Sequence, residues 1–223
     1  MKKKLLFLLL ILAALWMLSY LAFVAGYLPR LFDNHYDAIK IDLEKLKGLR
    51  GEIVYAKRDN YKDEYILNIY KISANGTDKK LLYHHNNPVN ANCSSPKWSE
   101  NGLKIYFQAY SDGGWKVFSI DPYGNGLKIE EGRQPDLLSR DTRSDDIIWD
   151  KGSLFYIDEA GNKIQVFRHR KYQVDWNYGA NEASWSPDKQ YIIFEVDNNI
   201  FVANRQGDRV LRMTEGESPD WKY

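Results

Sequence analysis

Few residues in this chain carry types and spacings that could do chemistry. The four histidines are His35, His84, His85 and His169, and two adjacent acid pairs occur at Glu130-Glu131 and Asp145-Asp146. His84 and His85 are consecutive at a strand end, so they point to opposite faces and do not share a metal. Paired carboxylates can serve acid–base catalysis, but adjacent acids in polar connections read as solvated. No Gly-x-Ser-x-Gly elbow, His-Glu-x-x-His helix, Walker-type loop or dinucleotide fingerprint is present. Cys93 is the single cysteine, which excludes an internal disulfide and with it a disulfide-stapled secreted domain. No catalytic residue, metal or cofactor is expected.

The more informative side chains are aromatic. Four longer connections, Arg58–Glu64, His84–Ser95, Tyr110–Trp115 and His169–Glu182, carry Tyr61, His84, His85, Tyr110, Trp115, Tyr172, Trp176 and Tyr178. Tyr and Trp are strong contact anchors, and connections on a rigid scaffold are where binding concentrates. The plainer alternative is that these rings only cover the ends of strands. Either role requires elements that bring the four connections to one place.

Those elements come from an internal repeat. One unit is an apolar strand, a polar turn ending in glycine, then a second strand. It appears as Ile69–Ile72 with Ser73-Ala74-Asn75-Gly76, and as Val117–Ile120 with Asp121-Pro122-Tyr123-Gly124. Two more copies are Leu154–Ile157 with Asp158-Glu159-Ala160-Gly161, and Ile200–Ala203 with Asn204-Arg205-Gln206-Gly207. Gly76, Gly124, Gly161 and Gly207 stand where tight hairpins require positive φ. A second unit interleaves with the first. It reads Ser95-Pro96-Lys97-Trp98-Ser99, Ser184-Trp185-Ser186-Pro187-Asp188, a degraded Gln134–Ser139, and a last Ser218-Pro219-Asp220-Trp221. The two units make four strands per period, the content of a propeller blade of about 40–45 residues.

Around Trp98, Trp185 and Trp221 the sequence resembles the TolB-like β-propeller repeats, whose signature is Pro-x-Trp-Ser-Pro-Asp-Gly before a strand. The resemblance covers residues 51–223. It implies an all-β propeller in which the three tryptophans sit on innermost strands and pack between blades. The domain opens at Gly51-Glu52-Ile53-Val54-Tyr55, which matches a second strand; Glu217–Tyr223 would supply the missing first one. Four four-stranded blades then close, where the family more usually has six, and completion by a second copy of the chain stands as the alternative. TolB-like proteins imply protein–protein contact in the periplasm, but this chain lacks their separate second domain.

The remaining segments concern location. Leu5–Leu28 runs without a charge for 24 residues, long enough to cross a bilayer as one helix. Lys2, Lys3 and Lys4 precede it and keep the N-terminus cytoplasmic. Residues 1–28 are thus read as a single-pass anchor in an inner or plasma membrane, with a cleaved signal as the alternative. Residues 29–50 read as a spacer stem with a short helix over Asp42–Lys47, and residues 51–223 as the domain on the periplasmic or extracellular side. Net charge is +1, and −2 without the three lysines, so a nucleic-acid partner is excluded. The expected function is a non-catalytic protein- or glycan-binding module of the cell envelope. A channel-mouth lyase or hydrolase and a self-associating scaffold are the alternatives.

Overall fold

In each repeat the alternation of apolar and polar side chains resolves into antiparallel strands. The computed structural model describes residues 43–61, 64–84, 93–132, 146–150, 152–168 and 183–222. Among the described residues a short helix α1 (Leu43–Leu46) precedes fifteen strands in four sheets. The first sheet contains β1 (Glu52–Tyr61), β2 (Glu64–Ser73) and β3 (Lys80–Tyr83). The second contains β4 (Cys93–Trp98), β5 (Ile105–Ser111), β6 (Gly114–Ile120) and β7 (Lys128–Ile129). The third has β8 (Ile147–Asp150), β9 (Ser153–Ile157) and β10 (Lys163–Arg168). The fourth has β11 (Ala183–Trp185), β12 (Tyr191–Val196), β13 (Asn199–Asn204) and β14 (Val210–Glu215). The last strand, β15 (Glu217–Lys222), joins the first sheet, whose order is β15-β1-β2-β3.

The repeat therefore places its strands as expected. Gly76, Gly124, Gly161 and Gly207 all have positive φ. Trp98, Trp185 and Trp221 lie on β4, β11 and β15, each at the edge of its sheet that comes first in the blade pattern. The third sheet shows three strands among the described residues. Its expected first strand, Gln134–Ser139, lies outside them, as does the junction from the second sheet to the third.

Period-two burial explains how the sheets stack. On β1, Ile53 and Tyr55 face the fourth sheet and join Ile193, Ile200, Val202, Met213 and Trp221 in one core. Val54 and Ala56 face the second sheet and join Ile105, Phe107, Ala109 and Phe118 in another. The fourth sheet meets the third through Phe167, 4.8 Å from Phe194, and Trp185, 5.2 Å from Tyr156. The strands that carry Trp98 and Trp221 are tied directly: the Trp98 amide donates to Asp220 Oδ2 at 2.8 Å. Lys222 Nζ lies 3.9 Å from the Trp98 ring centre and donates to the Gly102 carbonyl at 2.5 Å. β4 and β15 also share a device. Ser95 and Ser218, each before a proline, take positive φ next to a shift of register. Bulges are where a strand tolerates proline.

Residues 43–50, the described end of the stem, differ from a plain spacer. Leu46 is fully buried and Leu49 nearly so, both in the core between the first and fourth sheets. Arg209 donates to the Lys45 carbonyl at 2.6 Å, answering an open carbonyl of α1, and Trp221 Nε1 donates to the Arg50 carbonyl at 3.0 Å. A four-residue helix has no stability of its own; burial of its leucines holds it. Gly51 then takes φ +98, and a Cβ there would collide with the Lys222 carbonyl. Among the described residues no helix is long and apolar enough to cross a membrane; Leu5–Leu28 lies outside them.

Removing Glu217–Tyr223 strips the first sheet of one edge and the core against the fourth sheet of Trp221. Thermal melting of that variant is expected to lose its cooperative transition, and an unchanged melt would refute this pairing. Leu46→Ala is expected to cost about 2–5 kcal/mol in a urea titration, as for a fully buried leucine. A null effect would return residues 43–50 to the status of a spacer.

Candidate functional site

Strand direction sorts the connections onto two rims. The connections β1–β2, β3–β4, β5–β6, β10–β11, β12–β13 and β14–β15 share one rim, here the loop rim. The glycine turns after β2, β6, β9 and β13, and the turns after β4 and β11, share the other, the hairpin rim. Of the sequence-derived binding residues, Tyr61, His84, Tyr110 and Trp115 lie at loop-rim ends of their strands, two of the connections being tighter than expected. β1 runs to Tyr61 and β2 starts at Glu64, so Arg58–Asn60 are strand rather than loop. Likewise Tyr110 and Trp115 are paired strand residues, and only Asp112 and Gly113 form the turn, both with positive φ. That is the backbone of a two-residue primed hairpin, which Asp-Gly favours.

Tyr110 and Trp115 form an edge-to-face pair with centroids 6.1 Å apart and planes at 89°. Trp115 is 44% exposed although its backbone is locked in the ladder. A rigid, half-bare indole on a short hairpin is a contact anchor held at low entropic cost. His84, exposed, follows β3 directly; its Nδ1 lies 2.9 Å from Asn68 Oδ1. Its neighbour Tyr83 packs against Phe107 at 4.8 Å and Phe118 at 6.2 Å, which sets His84 at the seam of the first and second sheets. Tyr61 ends β1. His85, Tyr172, Trp176 and Tyr178 lie outside the described residues.

Beneath His84 runs a polar chain that motif reading did not reveal. Buried Asn68 donates to Asp59 Oδ2 at 2.8 Å, and Tyr70 OH donates to the same oxygen at 2.5 Å. Lys57 Nζ is 3.7 Å from Asp59 Oδ1 and 4.0 Å from Glu215. Lys79 Nζ lies 4.9 Å from the Tyr70 ring centre and 5.8 Å from that of Tyr55. Burial alone would raise the Asp59 pKa, but the Tyr70 and Asn68 hydrogen bonds and the Lys57 and Lys79 charges outweigh it, and the net direction is down. Burial, then the bond to Asp59, pushes Tyr70 up. Lys79 is lowered, first by loss of solvent around its ammonium although the residue is exposed overall, then by Lys57. A carboxylate held this firmly ionised is a weak general base. The one signal that could have exposed the chain is strand register, which places Asp59 opposite Ile66 and Lys57 opposite Asn68.

Other candidate acids are engaged in structure. Glu130 accepts from Ser119 Oγ at 2.6 Å and Lys104 at 3.1 Å. Asp146 accepts from Trp185 Nε1 at 3.1 Å. Among the described residues no group of three His, Cys, Asp or Glu could hold a metal ion. A shallow cavity of about 310 Å³ lies on the hairpin rim between Leu49 and Pro187, walled by Tyr191 and Trp221.

A family model described as the dipeptidyl peptidase IV N-terminal region, a β-propeller domain, matches residues 151–223. No curated protein matches the chain. Solved structures similar to it include TolB from Acinetobacter baumannii, at 13% identity and TM-score 0.29, covering 77% of this chain and 43% of that one. The tricorn protease matches at 15% identity and TM-score 0.28, covering 74% and 17%. A putative TolB from Agrobacterium tumefaciens matches at 15% identity and TM-score 0.27, covering 74% and 63%. The chain thus spans less than half the length of the first of these and under a fifth of the second.

The lowered Asp59 pKa gives a signed expectation. A depressed carboxyl stabilises the fold above its unfolded pKa, about 4, and that contribution fades as pH falls through the folded value. Asp59→Asn should therefore destabilise clearly at neutral pH and progressively less below pH of about 4. Urea titrations of both proteins across that range check it; a difference that stayed constant would separate Asp59 from the acid limb.

Proposed function

We propose that this chain is a membrane-anchored, exported β-propeller that binds a protein or glycan of the cell envelope through its loop rim, without catalysis. The observation that carries the reading is the Tyr110–Trp115 pair: an indole 44% exposed on a rigid two-residue hairpin, with exposed His84 on the same rim. The resemblance to TolB-like repeats supports a contact role over a chemical one. In this reading Leu5–Leu28 spans an inner or plasma membrane, the N-terminal lysines stay cytoplasmic, and the body stands on the periplasmic or extracellular side. The four sheets close as a ring.

A lyase or hydrolase at the channel mouth has less support. The acids on β15 already serve the scaffold, Glu217 paired with Arg58 at 3.2 Å and Asp220 with the Trp98 amide at 2.8 Å. Affinity capture from native membranes with the full chain tests the binding reading. Trp115→Ala should weaken capture of any specific partner by about 2 kcal/mol or more, roughly thirtyfold, as for a central aromatic anchor. Glu159→Ala, on the opposite rim, should leave capture unchanged. Equal recovery from both, with melting unaltered, would remove the loop rim as the contact surface.

A further inference from the structure

Three asparagines in the chain stand directly before glycine, at Asn75-Gly76, Asn101-Gly102 and Asn125-Gly126. That pair is chemically labile. The glycine amide nitrogen can attack the asparagine Cγ, and without a Cβ the glycine neither hinders the approach nor resists the backbone rotation it needs. In the unfolded chain the three pairs are near equivalents. In the folded chain they differ.

At the first two, the attacking nitrogen and the carboxamide are both engaged. Gly76 N donates to the Ser73 carbonyl at 2.8 Å, and Asn75 Oδ1 accepts from Thr77 N at 3.1 Å and Thr77 Oγ1 at 2.8 Å. Gly102 N donates to the Ser99 carbonyl at 2.7 Å, and Asn101 Oδ1 accepts from Ser99 Oγ at 2.9 Å and Leu103 N at 3.0 Å. Gly102 is also buried, its carbonyl held by Lys222 Nζ at 2.5 Å. Ring closure at either site must first break a hydrogen-bonded turn.

The third pair lies in the turn between β6 and β7, and its restraints fall elsewhere. Asp121 holds the main-chain nitrogen and carbonyl of Asn125, at 2.8 and 2.9 Å. The Asn125 carboxamide makes one contact, Nδ2 to Asp121 Oδ2 at 3.4 Å, beyond the usual length of a hydrogen bond. Gly126 N has no acceptor among the described residues. Both residues are exposed, and apart from its chain neighbours nothing lies within 4 Å of where a Gly126 Cβ would stand. Water therefore reaches the site, and of the three glycine amides this one is free to react.

We propose that Asn125 is a site of spontaneous covalent modification, the one asparagine of the three that the fold leaves open to deamidation. The Gly126 nitrogen gives up its proton to water and bonds to Asn125 Cγ; the Cγ–Nδ2 bond breaks, and Nδ2 takes a proton and leaves as ammonia. Water then opens the cyclic imide at one carbonyl or the other, giving aspartate or isoaspartate. Either product sets a second carboxylate beside that of Asp121, and isoaspartate adds one carbon to the main chain. The same turn carries Tyr123, whose carbonyl accepts from Lys80 at 2.9 Å, so the change falls on the tie between the second sheet and β3.

Ageing the full chain in mildly alkaline buffer, with peptide mass spectrometry at intervals and isoaspartyl methyltransferase labelling, tests this. In the folded chain Asn125 should convert severalfold faster than Asn75 and Asn101. In urea that unfolds the chain, the three should convert at similar rates. Asn75 or Asn101 keeping pace with Asn125 in the folded chain overturns the inference, as does the absence of conversion at Asn125. The same ranking in urea also overturns it, because flanking side chains and not the fold would then set the order.

Discussion

The pairing of β15 with β1 is the constraint on which the rest of the body depends. Ile53 sits opposite Trp221 and Val54 opposite Asp220, so the last strand is held by the first across almost the whole described chain. β15 then serves three sheets at once. It closes its own sheet, supplies Trp221 to the core against the fourth, and ties Asp220 and Lys222 to the second. Its approach is too close for side chains at its ends. Gly216 has φ +154, and a Cβ there would lie 2.5 Å from Tyr55 Cδ2. Without β15 the core against the fourth sheet would lose Trp221, and the tie from Asp220 and Lys222 to the second sheet would go with it.

That dependence also explains the stem. The indole of Trp221 is buried because Leu46 and Leu49 cover the same core and the Arg50 carbonyl receives its N–H. The two ends of the described chain therefore stabilise each other, and the chain entering the body is as much a structural part as any strand. What faces solvent at the loop rim is carried by rigid ladders in turn. Trp115 can stand half bare because Tyr110 packs its edge and the hairpin cannot fray into a longer loop.

Much of this was legible in the residues. Each Gly76-type turn announces positive φ, and each Ser-Pro or Ser-Trp stretch announces an inner strand, because backbone geometry leaves few other residues suitable there. The match of Gly51–Tyr55 to a second strand told that a first strand had to come from elsewhere. The packing of Leu46 was not legible: four helical residues carry no periodic pattern, and their partners, Met213 and Trp221, lie far along the chain. Asp59, Asn68 and Tyr70 were equally opaque, since only register decides which polar residues of β1 and β2 share a face. The connections read as long, Arg58–Glu64 and Tyr110–Trp115, proved to be mostly strand because their charged and aromatic residues find cross-strand partners. For His85, Tyr172, Trp176 and Tyr178 the sequence reading stands by itself.

The same pairing has a consequence in time. Contacts that join residues more than 160 positions apart form late, because the chain between them must lose its freedom first. Until Glu217–Lys222 arrives, β1 presents an open edge, the kind of surface that invites wrong partners. Completion of the first sheet therefore waits on the arrival of β15. A chain cut short before that strand would carry an unfinished edge by which a quality-control protease or chaperone could recognise it.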